Sequence, residues 1–105
     1  MEERRKYGRK GPDFRVVCWT SDTPMKRVGA ETVNLSFGGI GLRLNNEVAV
    51  DKIVRLRIQK GLWQKPIEAL GRVAWNGGSD ILGRTMTGVK FISAPWTRIE
   101  ELLYS

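Results

Sequence analysis

The stretch GIGLRLN, residues 39–45, indicates the fold class of this 105-residue chain. Its aliphatic residues stand at every second position, separated by a glycine and an arginine. This period of two is typical of a β-strand that turns one face toward a core, whereas an amphipathic helix repeats its apolar residues every three or four positions. The stretch therefore predicts a strand that buries Ile40, Leu42 and Leu44.

The same pattern extends in both directions along the chain. Runs rich in β-branched, aromatic or alternating apolar residues predict further strands. These runs are residues 14–20, 28–36, 54–59, 67–75 and 88–91. After Pro95, the apolar residues follow at helical spacing, which predicts one short helix over residues 95–104. Several short strands with a terminal helix indicate an all-β domain built as a small antiparallel barrel.

Alternation also assigns side chains to faces. Val33 and Leu35 are expected together on the buried face of their strand. Cys18 lies in the apolar run VVCW and is expected to be a buried small hydrophobe. Arg55 and Arg57 are expected to face solvent. In the strand over residues 67–75, the residues expected on the buried face are Ile67, Ala69, Val73 and Trp75.

The composition limits the kinds of function. Eighteen Lys and Arg against eleven Asp and Glu give a net charge of +7, which indicates an anionic partner. The single cysteine excludes an internal disulfide and a cysteine-based metal site, and the absence of histidine removes the commonest general base and zinc ligand. We therefore expect a binding module without catalytic residues or metal. No stretch resembles a signal peptide or a membrane span, so we expect a cytoplasmic protein.

The amino-terminal segment carries a dense positive charge. Five of the seven positions from Arg4 to Lys10 are cationic. No apolar period surrounds them, so residues 1–13 are predicted to be a flexible basic arm that precedes a domain over residues 14–105. Arg5 and Arg9 form an RxxxR motif, and two guanidinium groups at this spacing can converge on one small anion such as a phosphate.

A second polar motif, NxSxxG, lies in NLSFGG, residues 34–39. Asn34 and Ser36 are expected on one face of a strand because side chains alternate, and they offer directional donors and acceptors. Gly38 and Gly39 let the backbone turn and let a ligand approach it closely. The motif by itself also fits an ordinary turn between two strands.

The order of these motifs resembles the PilZ family, whose members bind the bacterial second messenger cyclic di-GMP. RRKYGR is followed by NLSFGGIGL, then by PIEALGRVAW (66–75), which resembles the GxVxW strand of the family, and by GVKF (88–91), which resembles its GVxF strand. The final helix resembles the helix that closes the family's fold. The resemblance covers the chain from Arg4 to about Leu103.

This resemblance implies a six-stranded antiparallel barrel with Greek-key features, a split barrel closed by a C-terminal helix. It also implies that the ligand is cyclic di-GMP and that its phosphates and guanine edges are held by Arg5 and Arg9. Arg4 matches a position at which arginine favours an intercalated dimer of the ligand. The other implied ligand-binding residues are Asn34, Ser36, Gly39 and Trp75. Thus the alternation places Trp75 in the core, whereas the resemblance places it against the nucleotide.

The implied function is a receptor that orders its basic arm around the ligand and so signals to a downstream partner protein. Two alternatives stay open. One is a PilZ-like adaptor that acts through protein contacts alone, although the intact motifs disfavour it. The other is a small basic barrel that binds single-stranded nucleic acid. No nucleic-acid polymer is expected, because the sequence lacks a cluster of RNP-type aromatic residues.

Overall fold

The computed structural model describes residues 14–61 and 65–104. These residues form seven antiparallel strands and one helix, which confirms the predicted all-β class with a C-terminal helix. The elements are β1 (Phe14–Thr20), β2 (Arg27–Val28), β3 (Ala30–Leu35), β4 (Gly39–Leu44), β5 (Ile53–Lys60), β6 (Ile67–Ser79), β7 (Thr85–Ser93) and α1 (Trp96–Tyr104).

The strands form one curled sheet in the order β2-β1-β5-β6-β7-β4-β3. The connection from β4 to β5 crosses from one half of the sheet to the other, because β4 pairs with β7 while β5 pairs with β1. In the described part of the chain, β3 at one edge comes close to β1, which is next to β2 at the other edge, but the two strands do not pair, so the sheet is not closed. The structure thus corrects the six-stranded barrel that the resemblance implies to an open sheet of seven strands.

The seventh strand arises because the predicted segment 28–36 is divided. Arg27 and Val28 pair with the end of β1, and the chain then leaves that edge at Gly29. The Gly29 carbonyl accepts a hydrogen bond of 2.9 Å from the Asn45 N–H, and β3 begins at the next residue. The segment predicted as one strand therefore contributes to two strands, β2 and β3, which lie at opposite ends of the sheet order.

The core lies on the inner face of the sheet and under α1. The predicted inward positions of β4 and β5 are buried, and Arg55 and Arg57 are exposed, as predicted. Cys18 is fully buried, and this burial raises the pKa of its thiol to about 11 because the thiolate would lose its hydration. The prediction of a buried hydrophobic cysteine is confirmed.

Two predicted face assignments are wrong because β-bulges shift the alternation. The β3–β4 register shifts between Thr32 and Asn34, so Thr32 and Leu35 point inward and Val33 is only half-buried. The β6–β7 register shifts after Val73, and Trp75 is 50% exposed instead of joining the core. A bulge places two residues of one strand opposite one residue of its partner, and the faces exchange beyond it.

The helix α1 closes the inner face of the sheet with Ile99, Leu102 and Leu103, which are buried. Pro95 lies just before the first helical residue, and its carbonyl accepts a hydrogen bond of 3.0 Å from the Ile99 N–H. Trp96 is partly exposed, and its ring packs 5.5 Å from that of Phe37, between centroids. The predicted helix is confirmed, and this aromatic contact ties its first turn to the β3–β4 hairpin.

No helix in the described ranges combines the length and the apolar character that crossing a bilayer requires.

Candidate ligand-binding groove

A shallow groove of about 270 Å3 lies on the outer face of the sheet, across strands β3, β4, β7 and β6. It is lined by outward-facing residues of these four strands and by the β3–β4 turn, together with the buried Ile40 and Val89. The sequence-predicted residues among them are Asn34, Ser36, Gly39 and Trp75. Arg4, Arg5 and Arg9 lie outside the described residues.

The groove is organised by one row of residues that runs across the four strands. Asn34 stands opposite Gly41, Gly41 opposite Gly88, and Gly88 opposite Trp75. Neighbouring strands lie about 4.8 Å apart, so the row spans about 14 Å. The two central positions carry no side chain, and the polar amide and the indole at the ends therefore border a floor of bare backbone.

Both end residues lean over this floor. The Oδ1 atom of Asn34 lies 3.0 Å from the position that a Cβ atom would take at Gly41. The indole of Trp75 rests against Gly88 and fills the space in which a Cβ atom of that residue would stand. Any side chain at position 88 would therefore displace the indole.

Trp75 is held in its outward position by its neighbour in the chain. Asn76 donates from Nδ2 to the Val48 carbonyl at 3.0 Å and accepts from the Thr87 hydroxyl at 3.2 Å. These bonds anchor β6 where its register shifts against β7. With its indole packed against Gly88 and half of its surface exposed, Trp75 can serve as a stacking platform for an aromatic ligand.

The NxSxxG motif builds the turn at the other end of the groove. The Ser36 N–H donates to the Gly39 carbonyl at 2.9 Å, and the Ser36 hydroxyl donates to the same oxygen at 3.3 Å. A Cβ atom at Gly39 would collide with the Val89 carbonyl, so this glycine lets β4 approach β7 closely. Ser36 and Gly39 therefore shape the turn, and the half-buried Asn34 amide presents its polar atoms beside it.

The sequence interpretation missed several residues of the groove. Gly41 and Gly88 form its floor, and Lys90 brings a positive charge to its edge. In the sequence, these residues occupy the outward-facing positions of two alternating segments, GIGLRLN and GVKF. The inward-facing positions of the same segments identify the core. The pairing of the strands, which a single segment does not reveal, is what brings them together.

Within residues 14–61 and 65–104, no group of three or more acidic or cysteine side chains comes close enough together to hold a metal ion. The donors and acceptors of the groove are an amide, a hydroxyl, backbone groups and an ammonium, together with an aromatic surface. Such groups recognise a planar polar ligand that carries negative charge.

Comparison with known proteins identifies the family. The family model described as PilZ domain matches residues 3–105, which is nearly the whole chain and includes both sequence motifs. No curated protein matches the sequence. A family match of this extent, on an antiparallel sheet with a C-terminal helix, shows that the chain belongs to the PilZ domain family, whose domains are cyclic di-GMP-binding modules rather than enzymes.

Proposed function

We propose that this chain is a bacterial cytoplasmic receptor for cyclic di-GMP and that the outer-face groove binds a guanine of the ligand. The observation that carries the proposal is the meeting of Asn34, Ser36, Gly39 and Trp75 around one groove. They come from separate strands and from the turn between β3 and β4. The family match gives the ligand class.

The chemistry of the groove suits a guanine base. The Asn34 carboxamide offers both a donor and an acceptor to a base edge, and the Ser36 hydroxyl adds another polar group. The exposed face of the Trp75 indole stacks on a base, a contact worth about 1–3 kcal/mol by alanine substitution. In this proposal Gly39 keeps the turn compact beside the base.

The basic arm supplies the charge that the phosphates require. Arg5 and Arg9 make bidentate charge-assisted hydrogen bonds to phosphate oxygens. The same pair of guanidinium groups donates to the O6 and N7 acceptors of guanine. The ligand neutralises the arm and orders it against the sheet, which creates a new surface for a partner protein to read. The output is thus a change of surface, and no chemical step is needed.

A titration of amide resonances with cyclic di-GMP tests binding and site together. We expect shifts in residues 4–9, 34–39 and 88–90 and in the indole N–H of Trp75, because these groups meet the ligand. Linear and adenine-containing dinucleotides serve as controls and are expected to leave the spectrum almost unchanged. Unmoved resonances in all of these groups at excess ligand would contradict the proposal and favour an adaptor that acts through protein contacts.

The position of Arg4 leads to a prediction of stoichiometry. Arginine immediately before the RxxxR motif adds a further guanidinium, which is expected to hold a second, intercalated ligand molecule. Calorimetry at saturation is therefore expected to give two molecules of cyclic di-GMP per chain, and one per chain for Arg4→Ala. A ratio of one for the unchanged chain would remove the role of Arg4 and leave the receptor proposal in place.

Salt dependence separates the receptor from a nucleic-acid-binding barrel. Binding of a single strand neutralises many phosphates, so its affinity falls steeply as salt rises and tolerates changes of sequence. Fluorescence anisotropy with a labelled oligonucleotide is expected to show weak binding that is lost at moderate salt. Tight oligonucleotide binding that outcompetes cyclic di-GMP would support the nucleic-acid alternative.

A further inference from the structure

Two cationic side chains stand opposite each other at the edge of the groove. Arg72 of β6 pairs in register with Lys90 of β7, and both are exposed on the outer face of the sheet. Lys90 lines the ligand-binding groove, and both residues line an adjoining depression of about 450 Å3. The groove and the depression share Ala74 and Lys90, so they form one continuous surface.

Two other arginines of the protein have carboxylate partners, whereas Arg72 and Lys90 have none in the part of the chain that the structure describes. Arg57 is paired with Glu68 at 2.7 Å, and Arg84 is paired with Asp80 at 2.9 Å. By contrast, no ion pair joins Arg72 or Lys90 to another residue in the described ranges. One carboxylate, that of Asp51, also lines the depression, so two positive charges face one negative charge there.

Like charges directly opposite each other in an antiparallel pair destabilise the sheet, because their Cβ atoms are only about 5 Å apart. An anion placed between the two side chains removes this repulsion and gains charge-assisted hydrogen bonds from both. The guanidinium and the ammonium can each donate to a different oxygen of one phosphate group. A phosphodiester bound between the two side chains is therefore more favourable than two neighbouring positive charges without an anion.

The pair also lies at a suitable distance from the stacking position. Lys90 is two residues beyond Gly88 on the same strand, which is about 7 Å along the sheet. Gly88 lies beneath the Trp75 indole. A nucleotide whose base stacks on Trp75 can thus place its phosphate near Lys90 without leaving the surface.

We infer that Arg72 and Lys90 form a phosphate subsite of the groove and hold a phosphodiester of the bound cyclic dinucleotide. This inference rests on the proposed function and extends it, because it gives the sheet its own phosphate contact, separate from the amino-terminal arginines. The two positive charges of the subsite increase the affinity for the cyclic dinucleotide.

The test compares two double variants that remove the same charge. Arg72→Gln with Lys90→Gln removes the subsite, and Arg55→Gln with Lys26→Gln removes two exposed cations from strands and loops outside the groove. Calorimetry with cyclic di-GMP at low and moderate salt is expected to show about a tenfold or larger loss of affinity for the first variant and less than a twofold loss for the control. The first variant is also expected to bind with a weaker salt dependence.

Thermal unfolding gives a second readout. Without ligand, the Arg72→Gln/Lys90→Gln variant is expected to melt at the same temperature as the unchanged chain or slightly above it, because a repulsion is removed. A loss of affinity no greater than that of the control would overturn the subsite while the unchanged chain still binds. If the unchanged chain itself shows no heat with cyclic di-GMP, the receptor proposal fails first.

Discussion

Replacement of Arg9 by alanine is expected to weaken cyclic di-GMP binding by about 30-fold or more and to leave thermal unfolding unchanged. Truncation of one partner of a hydrogen-bonded charge pair costs about 2–5 kcal/mol, and each 1.4 kcal/mol is about a factor of ten in affinity. The buried core of the described residues is built from the strands, α1 and Val48 of the β4–β5 connection, so we expect no loss of core packing. Calorimetry and a thermal melt measure the two effects separately, and Arg5→Ala is expected to behave in the same way.

The matched control for Arg9→Ala is Arg15→Ala. Arg15 is exposed on β1, which takes no part in the ligand-binding groove, and its replacement removes the same charge. We expect its affinity to stay within about a factor of two of the unchanged chain, since exposed charges at a distance are screened by salt. A marked drop in melting temperature for Arg9→Ala would instead identify Arg9 as a structural residue.

Gly88→Ala is expected to reduce the affinity for cyclic di-GMP by about tenfold or more. The added methyl group would occupy space that the Trp75 indole fills, and the three heavy atoms nearest to it all belong to this indole. The indole must therefore leave its position, and the stacking contact, worth about 1–3 kcal/mol per base, is lost. The fold is expected to persist because the closest contacts of the methyl group are to an exposed side chain that can move and not to the backbone.

Gly78→Ala provides the control, because a Cβ atom at Gly78 meets nothing within 4 Å and this residue lies on β6, the strand that carries Trp75. The indole N–H resonance of Trp75 is expected to move in Gly88→Ala and to stay in place in Gly78→Ala. Equal affinities for the two variants would show that the base does not stack on Trp75.

The fold class could be predicted because alternation is a local signal. Segments such as GIGLRLN contain their own period, and the inward residues of β4 and β5 followed it without exception. The bulges could not be predicted in this way, since a register shift is a property of two strands and not of one. Trp75 shows the consequence: the alternation of β6 places it in the core, and the pairing with β7 turns it outward.

The residues of the candidate site that belong to one short motif could be predicted from the sequence. The residues that are brought together only by the pairing of strands could not. Asn34, Ser36 and Gly39 lie within six consecutive residues, and the structure brings them to one groove. Gly88 and Lys90 join this groove because β7 pairs with β4. Their separation in the sequence gives no sign of that meeting.

The division of each strand into an inward and an outward half has an evolutionary consequence. In β4, Ile40, Leu42 and Leu44 are buried, while Gly41 and Arg43 face outward. Mutation can therefore change the outer surface without disturbing the residues that hold the domain together. A domain with the same inward residues can therefore carry a different outer surface and keep the same fold. Gly39 is an exception, because its lack of a side chain serves the packing of β4 against β7.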